Sequence, residues 1–118
     1  MDTPDFNAIR AKAEAGDAAS QYELAWRHAL GNGLPLDDYE AVRWLTLAAE
    51  NGHTLARNNL GARYFSGDGV TRNLVEAYRW FHLAAMAGDR KAGKNRDTAA
   101  QEMTPEQLAE AKRRAGVV

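Results

Sequence analysis

Apolar residues recur at intervals of three and four positions along this 118-residue chain. One stripe consists of Ala41, Trp44, Leu45, Ala48 and Ala49, and another of Ala77, Trp80, Phe81, Ala84 and Ala85. Such spacing places the apolar side chains on one face of a helix. No alternating strand pattern of useful length interrupts it, so the chain is predicted to be all-α.

The same pattern returns every 36 residues. The equally spaced positions are Gly16, Gly52 and Gly88, with the pairs Leu24 and Leu60, Gly31 and Gly67, Gly33 and Gly69, and Trp44 and Trp80. A fixed period of this size indicates stacked repeats, because one unit cannot bury its apolar face alone. Each repeat is expected to be an antiparallel pair, helix A followed by helix B.

The glycines and the cap residues set the expected helix limits. Helix A should end at Gly31 and Gly67, where a residue without Cβ turns left-handed at little cost. Helix B should begin after Asp37 and Asn73, each followed three residues later by a glutamate that can complete a capping box. The expected helices span about 18–30 and 38–51 in the first repeat, and 54–66 and 74–87 in the second.

One domain of residues 1–118 is therefore predicted, with two full repeats between capping helices. Its parts are an N-terminal cap helix at 1–16, repeats at 17–52 and 53–88, and a partial repeat with a C-terminal cap helix at 89–118. Asp17 and Asp89 suit the first cap position of helix A, and His53 occupies the same slot in the second repeat. Thr104 and Gln107 have capping-box spacing at the start of the final helix.

The segment Leu60-Gly61-x-x-Tyr64-x-x-Gly67-x-Gly69-Val70, followed by Ala77-x-x-Trp80-x-x-x-Ala84-Ala85-x-x-Gly88, resembles a Sel1-like repeat. The first copy is looser, with Leu24-Ala25 for Leu-Gly and His28 for the tyrosine. The resemblance implies a right-handed α/α solenoid of the tetratricopeptide-like superfamily. It also implies an adaptor or scaffold role, as in bacterial family members, with a protein or peptide as partner.

Helical rotation defines a candidate binding groove on helix A. Leu60, Gly61 and Tyr64 are expected to face neighbouring helices. Because each residue of a helix is rotated by about 100° from the one before it, Asn58, Asn59 and Ala62 then point away from those neighbours. By analogy with related helical-hairpin repeats, this face should be concave and could bind a peptide backbone or a carboxylate; a merely solvated face is the alternative. The candidate residues are Tyr22, Glu23, Trp26, Asn58, Asn59, Ala62, Lys94 and Asn95.

Trp26 has two possible roles, because the second repeat has Ala62 at its position and the repeat does not require an aromatic residue there. It could be an aromatic anchor for a partner, since aromatic residues dominate interface hot spots. It could instead pack on the leading helix, near Phe6 or Ile9.

Composition narrows the function further. The chain has no cysteine, so it has neither disulfides nor Cys-based metal sites, and its net charge of −1 argues against a nucleic-acid binder. The three histidines lack metal-ligand spacing, and no nucleophile–base set is visible, so no cofactor, metal or catalytic residue is expected. No apolar run could span a membrane. A cytoplasmic monomer is expected. A protein whose signal peptide had already been removed would show the same sequence, so that alternative stays open.

Two other functions stay open. Residues 1–59 hold five basic and nine acidic side chains, giving −4, whereas residues 60–118 hold ten and seven, giving +3. Opposite charges of this kind could drive head-to-tail self-association through the ends of the stack. A weak hydrolase is the other alternative, because some relatives of this fold have been described as binding or hydrolysing β-lactams.

Overall fold

The computed structural model describes residues 3–117, with side chains from Phe6 onward, and this part of the chain contains seven α-helices and no strand. The all-α prediction is confirmed. The helices are α1 (Thr3–Glu14), α2 (Ala18–Leu30), α3 (Asp38–Glu50), α4 (Thr54–Ser66), α5 (Leu74–Met86), α6 (Arg90–Gln101) and α7 (Pro105–Arg114).

The helices of the two repeats lie close to their predicted limits. α2 and α4 match their predictions, whereas α3 and α5 each end one residue early, at Glu50 and Met86. The residues that follow, Asn51 and Ala87, already have ψ near 15° and 2° and act as C-caps. Gly31 ends α2 in the left-handed region with φ 66°, as the sequence predicted.

The starts of helix B differ from the prediction in one respect. Asn73 accepts a hydrogen bond from the backbone N–H of Glu76, as expected, and Asp37 does the same one period earlier. The returning half of the predicted capping box is replaced, because the Glu76 carboxylate pairs with Arg79 at 3.1 Å. A charge-assisted bond to a guanidinium is stronger than one to a neutral amide. Glu40 pairs with its own arginine, three residues on, in the same way.

The helices stack in chain order into an elongated solenoid of 51 × 23 × 20 Å. Each helix from α1 to α5 contacts the next one in the chain, and α7 packs against α5. α2–α3 and α4–α5 are the two repeats, so α2, α4 and α6 are equivalent A helices. The A helices consequently lie side by side along one side of the stack.

The repeat tryptophans are core residues, as predicted. Trp44 is 4 % exposed and Trp80 is 5 % exposed. Both belong to one apolar cluster that also contains Leu24 and Leu60 and extends from α1 to α5. A smaller cluster of Ala77, Phe81 and Ala99 joins α5 to α6. Burial of these two clusters holds the helices together.

Candidate functional site

Two side-chain hydrogen bonds connect the three A helices across the predicted groove. Asn59 Nδ2 on α4 donates to Tyr22 Oη on α2 at 3.0 Å. Asn95 Nδ2 on α6 donates to Asn58 Oδ1 on α4 at 3.1 Å. Both bonds join residues 37 positions apart, so the same link is made twice, one period apart. We call Tyr22, Asn58, Asn59 and Asn95 the amide strip.

The amide strip keeps unused hydrogen-bonding capacity. A side-chain amide has two N–H donors and a carbonyl with two lone pairs, and each asparagine uses only one group in the strip. Among the described residues, the NH₂ of Asn58 and the carbonyl oxygens of Asn59 and Asn95 make no further side-chain bond. Neighbouring donors and acceptors of this kind match the N–H and C=O groups of a peptide backbone.

Trp26 and Glu23 lie at the α2 end of this face. Glu23 forms an ion pair with Arg27 at 2.8 Å. The Arg27 guanidinium also lies 5.1 Å from the centre of the Trp26 ring and 4.8 Å from that of Phe6. Trp26 is therefore linked to the leading helix through Arg27, yet it stays only half-buried. Both roles considered for Trp26 fit this geometry.

Ala62 and Lys94 lie nearer the α6 end. Ala62 is exposed and lines a hollow of about 110 Å³ together with Asn95 and Phe81. Lys94 is also exposed, and no carboxylate of the described chain lies within ion-pair distance of it. Four of the eight predicted groove residues are thus joined by hydrogen bonds, and the other four flank them.

His53 contacts the amide strip through Tyr22. Its Nδ1 accepts a hydrogen bond from the backbone N–H of Ala56 at 3.2 Å, which caps α4. Its ring stacks on that of Tyr22 with 4.4 Å between centroids. Burial lowers the pKa of His53 from its ordinary value of 6.5, because a charged imidazole is poorly solvated there. The 36-residue period identified His53 as a cap position, but it did not predict the stacking.

The other two histidines also contact groups of this chain. His28 is buried, with Nδ1 3.1 Å from the carbonyl oxygen of Pro35. His82 Nδ1 lies 3.2 Å from Nη1 of Arg96. No group of three metal-ligating side chains occurs within residues 6–117. Nor does any helix between residues 3 and 117 combine the length and hydropathy needed to cross a bilayer.

A second hollow, of about 770 Å³, was not predicted. It lies on the helix-B side, between the outer face of α3 and the loop that joins α4 to α5. Tyr39, which is 71 % exposed, and Leu47 form part of its wall on α3, and Val70 does so on the loop. The spacing of Tyr39, Val42 and Thr46 was the available sequence signal, but the hollow depends on where the loop lies.

A protein-family model for the Sel1 repeat matches residues 18–53 and 54–89, which together make up more than half of the chain. The chain belongs to the Sel1 repeat family. Sel1 repeats are typically protein-interaction modules. The two matched ranges of this Sel1 repeat protein begin one residue after the boundaries expected from the sequence.

Two solved structures resemble the Sel1 chain. One is a protective antigen present in uropathogenic Escherichia coli strains that displays an SLR fold, with a TM-score of 0.88 and 31 % identity over 93 % of this chain. The other is a Sel1 repeat protein from Oxalobacter formigenes, with a TM-score of 0.71 and 31 % identity over 73 % of this chain. This chain covers about a quarter of each, namely 24 % and 25 % of their lengths. Among curated proteins, none matches the chain in sequence.

Proposed function

We propose that this Sel1 repeat chain is a non-enzymatic adaptor or scaffold that binds a peptide or protein partner on its helix-A face. The amide strip is the observation that carries the proposal, because it joins α2, α4 and α6 into one polar surface with unused donors and acceptors. The proposed binding residues are Tyr22, Glu23, Trp26, Asn58, Asn59, Ala62, Lys94 and Asn95.

An extended segment lying across the A helices would meet a different side chain on each helix. Asparagine amides can bond to its backbone, whereas the half-buried Trp26 offers apolar area with few rotamers to lose. A ladder of amides fixes the position of a backbone without reading its sequence. Specificity would then come from the residues that flank the strip.

A binding role also accounts for how the ionisable groups near the strip are used. Glu23 is paired with Arg27, and His53 is engaged by the Ala56 N–H and the Tyr22 ring. A nucleophile–base pair needs a free base within hydrogen-bond reach of the nucleophile. With these groups engaged, we expect no turnover in a broad hydrolase screen.

Affinity capture from native lysate tests the proposal. The bait proteins are the wild type, the Trp26→Ala/Asn59→Ala double variant, and Tyr39→Ala as a control on the opposite side of the stack. Circular dichroism first establishes that all three keep the same helix content. A partner captured by the wild type is then purified, and its Kd for each variant is measured by calorimetry.

We expect the Kd of this partner for the double variant to be at least about tenfold higher than for the wild type, which is roughly the effect of losing one hot-spot aromatic residue. Tyr39→Ala should leave the Kd unchanged. A partner that binds the double variant as tightly as the wild type, but loses affinity with Tyr39→Ala, would move the binding surface to the α3 hollow and refute the proposal.

A further inference from the structure

We infer that the α6 end of the helix-A face binds acidic residues of an extended partner segment, with the apolar part of that segment directed towards Trp26 on α2. The inference rests on the proposed function and adds a charge class and a direction to it. It follows from how the same helix positions change along the stack, from a hollow beside the strip, and from cations that form no ion pair with residues 6–117.

Equivalent positions on the three A helices change character from one end to the other. The first such position is Ala19 on α2, Leu55 on α4 and Lys91 on α6. The same trend holds at a neighbouring position, three residues further along each helix, where the side chains are Tyr22, Asn58 and Lys94. The face therefore runs from apolar and aromatic on α2, through leucine and amide on α4, to cationic on α6. A segment that matches it must be apolar where it meets α2 and acidic where it meets α6.

The cationic end borders a hollow of about 620 Å³ between the start of α4 and the start of α6. Asn58 and Asn59 form part of its wall and also belong to the amide strip, so hollow and strip are one continuous surface. Leu55, which is 56 % exposed, provides apolar area beside them. Arg90 and Lys91 form the opposite side.

The cations at this end form no ion pair within the described part of the chain. No carboxylate among residues 6–117 lies within ion-pair distance of Arg90, Lys91 or Lys94, although Arg96 on the same helix is paired with its neighbour Asp97. Asp89 also lines the hollow, but its carboxylate accepts the backbone N–H of Ala92 and so caps α6. The surface therefore favours carboxylates arriving from outside.

Two peptides of equal length, with blocked ends, test the inference. One has leucines in its first half and glutamates in its second half, and the other has glutamine in place of each glutamate. Each is titrated into isotope-labelled protein, and the chemical shifts of the Arg90 and Lys91 backbone amides and the Asn58 and Asn59 side-chain amides are followed by NMR. An oligonucleotide of matched negative charge forms a third arm.

We expect all four groups to shift, and the glutamate peptide to bind about tenfold more tightly than the glutamine peptide at low salt. Arg90→Glu/Lys91→Glu should remove that advantage and leave the glutamine peptide unaffected. Lys112→Glu and Arg113→Glu together provide a matched control, because they make the same charge change on exposed residues of α7. This control should keep the advantage of the glutamate peptide.

Four results would overturn the inference. Equal affinity for the two peptides, lost with Trp26→Ala/Asn59→Ala, would remove the acidic preference and leave the proposed function standing. An equal effect of the α7 control would mean non-specific charge attraction. Tighter binding of the oligonucleotide than of the glutamate peptide would mean that this surface prefers a nucleic acid to an acidic peptide. If no shift appears at millimolar peptide, the inference also fails, and the capture experiment alone then judges the proposed function.

Discussion

Gly61 and Phe81 depend on each other in the second repeat. A Cβ at position 61 would lie 2.6 Å from Cδ1 of Phe81, closer than two carbons can pack. One period earlier the same two positions hold Ala25 and Leu45, both buried. The larger Phe81 is therefore paired with glycine and the smaller Leu45 with alanine, so the combined side-chain volume is similar in the two repeats.

Gly61→Ala should consequently destabilise the protein by about 1–3 kcal/mol through overpacking, although alanine is the better helix former. Gly61→Ala combined with Phe81→Leu reproduces the pair of the first repeat, and it should recover most of that loss. Urea unfolding followed by circular dichroism measures both changes. A single variant as stable as the wild type would show that the Phe81 ring does not occupy this space.

His53 should make stability depend on pH. Its folded-state pKa lies below 6.5, so the folded protein binds the proton more weakly than the unfolded chain does. The cap contribution is then fully present above pH 6.5 and is lost as pH falls through 6.5 towards the folded-state pKa. The protonated ring also loses the Nδ1 lone pair that accepts from Ala56.

His53→Asp is the matched variant, because aspartate caps the equivalent helices at Asp17 and Asp89. An unperturbed aspartate side chain loses its proton at about pH 3.9, well below the range in which a histidine titrates. Between pH 7 and 5 its free energy of unfolding should fall less than that of the wild type. Identical pH profiles of the two proteins would show that the His53 cap contributes nothing that titrates. His82, whose pKa is also lowered by burial, is unchanged in both proteins.

At the scale of the elements, Gly69 allows the α4–α5 loop to lie close against α3, because it has no Cβ. Its φ is +76°, and an added Cβ would lie 2.4 Å from the carbonyl oxygen of Asp38. Gly52 also has a positive φ, of +90°, but nothing lies within 4 Å of its Cβ position. A side chain at either position would strain the backbone, but only one at position 69 would also collide with a neighbouring group.

We predict that Gly69→Ala costs about 1–3 kcal/mol more than Gly52→Ala, because only the first variant must also push the loop away from α3. Thermal or urea unfolding of the two variants gives the difference directly. Equal losses would mean that the loop moves aside freely and that the α3 hollow is not a fixed feature.

The helices could be predicted from the sequence because their signals are local. The caps at Asp37 and Asn73 and the turn at Gly31 act within a few residues of themselves, so their positions followed from spacing alone. Glu40 was misassigned because Arg43, three residues away, competes for its carboxylate. Helical rotation placed the strip residues on one face, but their pairing depends on the offset between helices. The α3 hollow depends on the path of a loop, which no period specifies.

At the scale of the whole molecule, the opposite charges of the two halves are partly neutralised within the chain. Arg63 on α4 pairs with Asp38 on α3 at 3.0 Å, which joins a cation of residues 60–118 to a carboxylate of residues 1–59. Exposed pairs of this kind contribute little stability, but they reduce the charge available to another copy. Head-to-tail attraction is weakened accordingly.

We therefore expect light scattering to give the monomer mass at both low and high salt. Screening acts over about 10 Å at moderate ionic strength, so association driven by charge would depend strongly on salt. A mass that rises as salt is removed would favour the self-associating assembly element over the monomeric adaptor.

The most direct measurement of the central claim is a crystal structure of the chain with the partner captured by the wild type. The account predicts partner atoms in contact with the amide strip, so that the side chains of Asn58, Asn59 and Asn95 bond to the partner's backbone. It also predicts that Trp26 is covered by the partner. A partner seated on the outer face of α3 and α5, with the strip open to solvent, would contradict it.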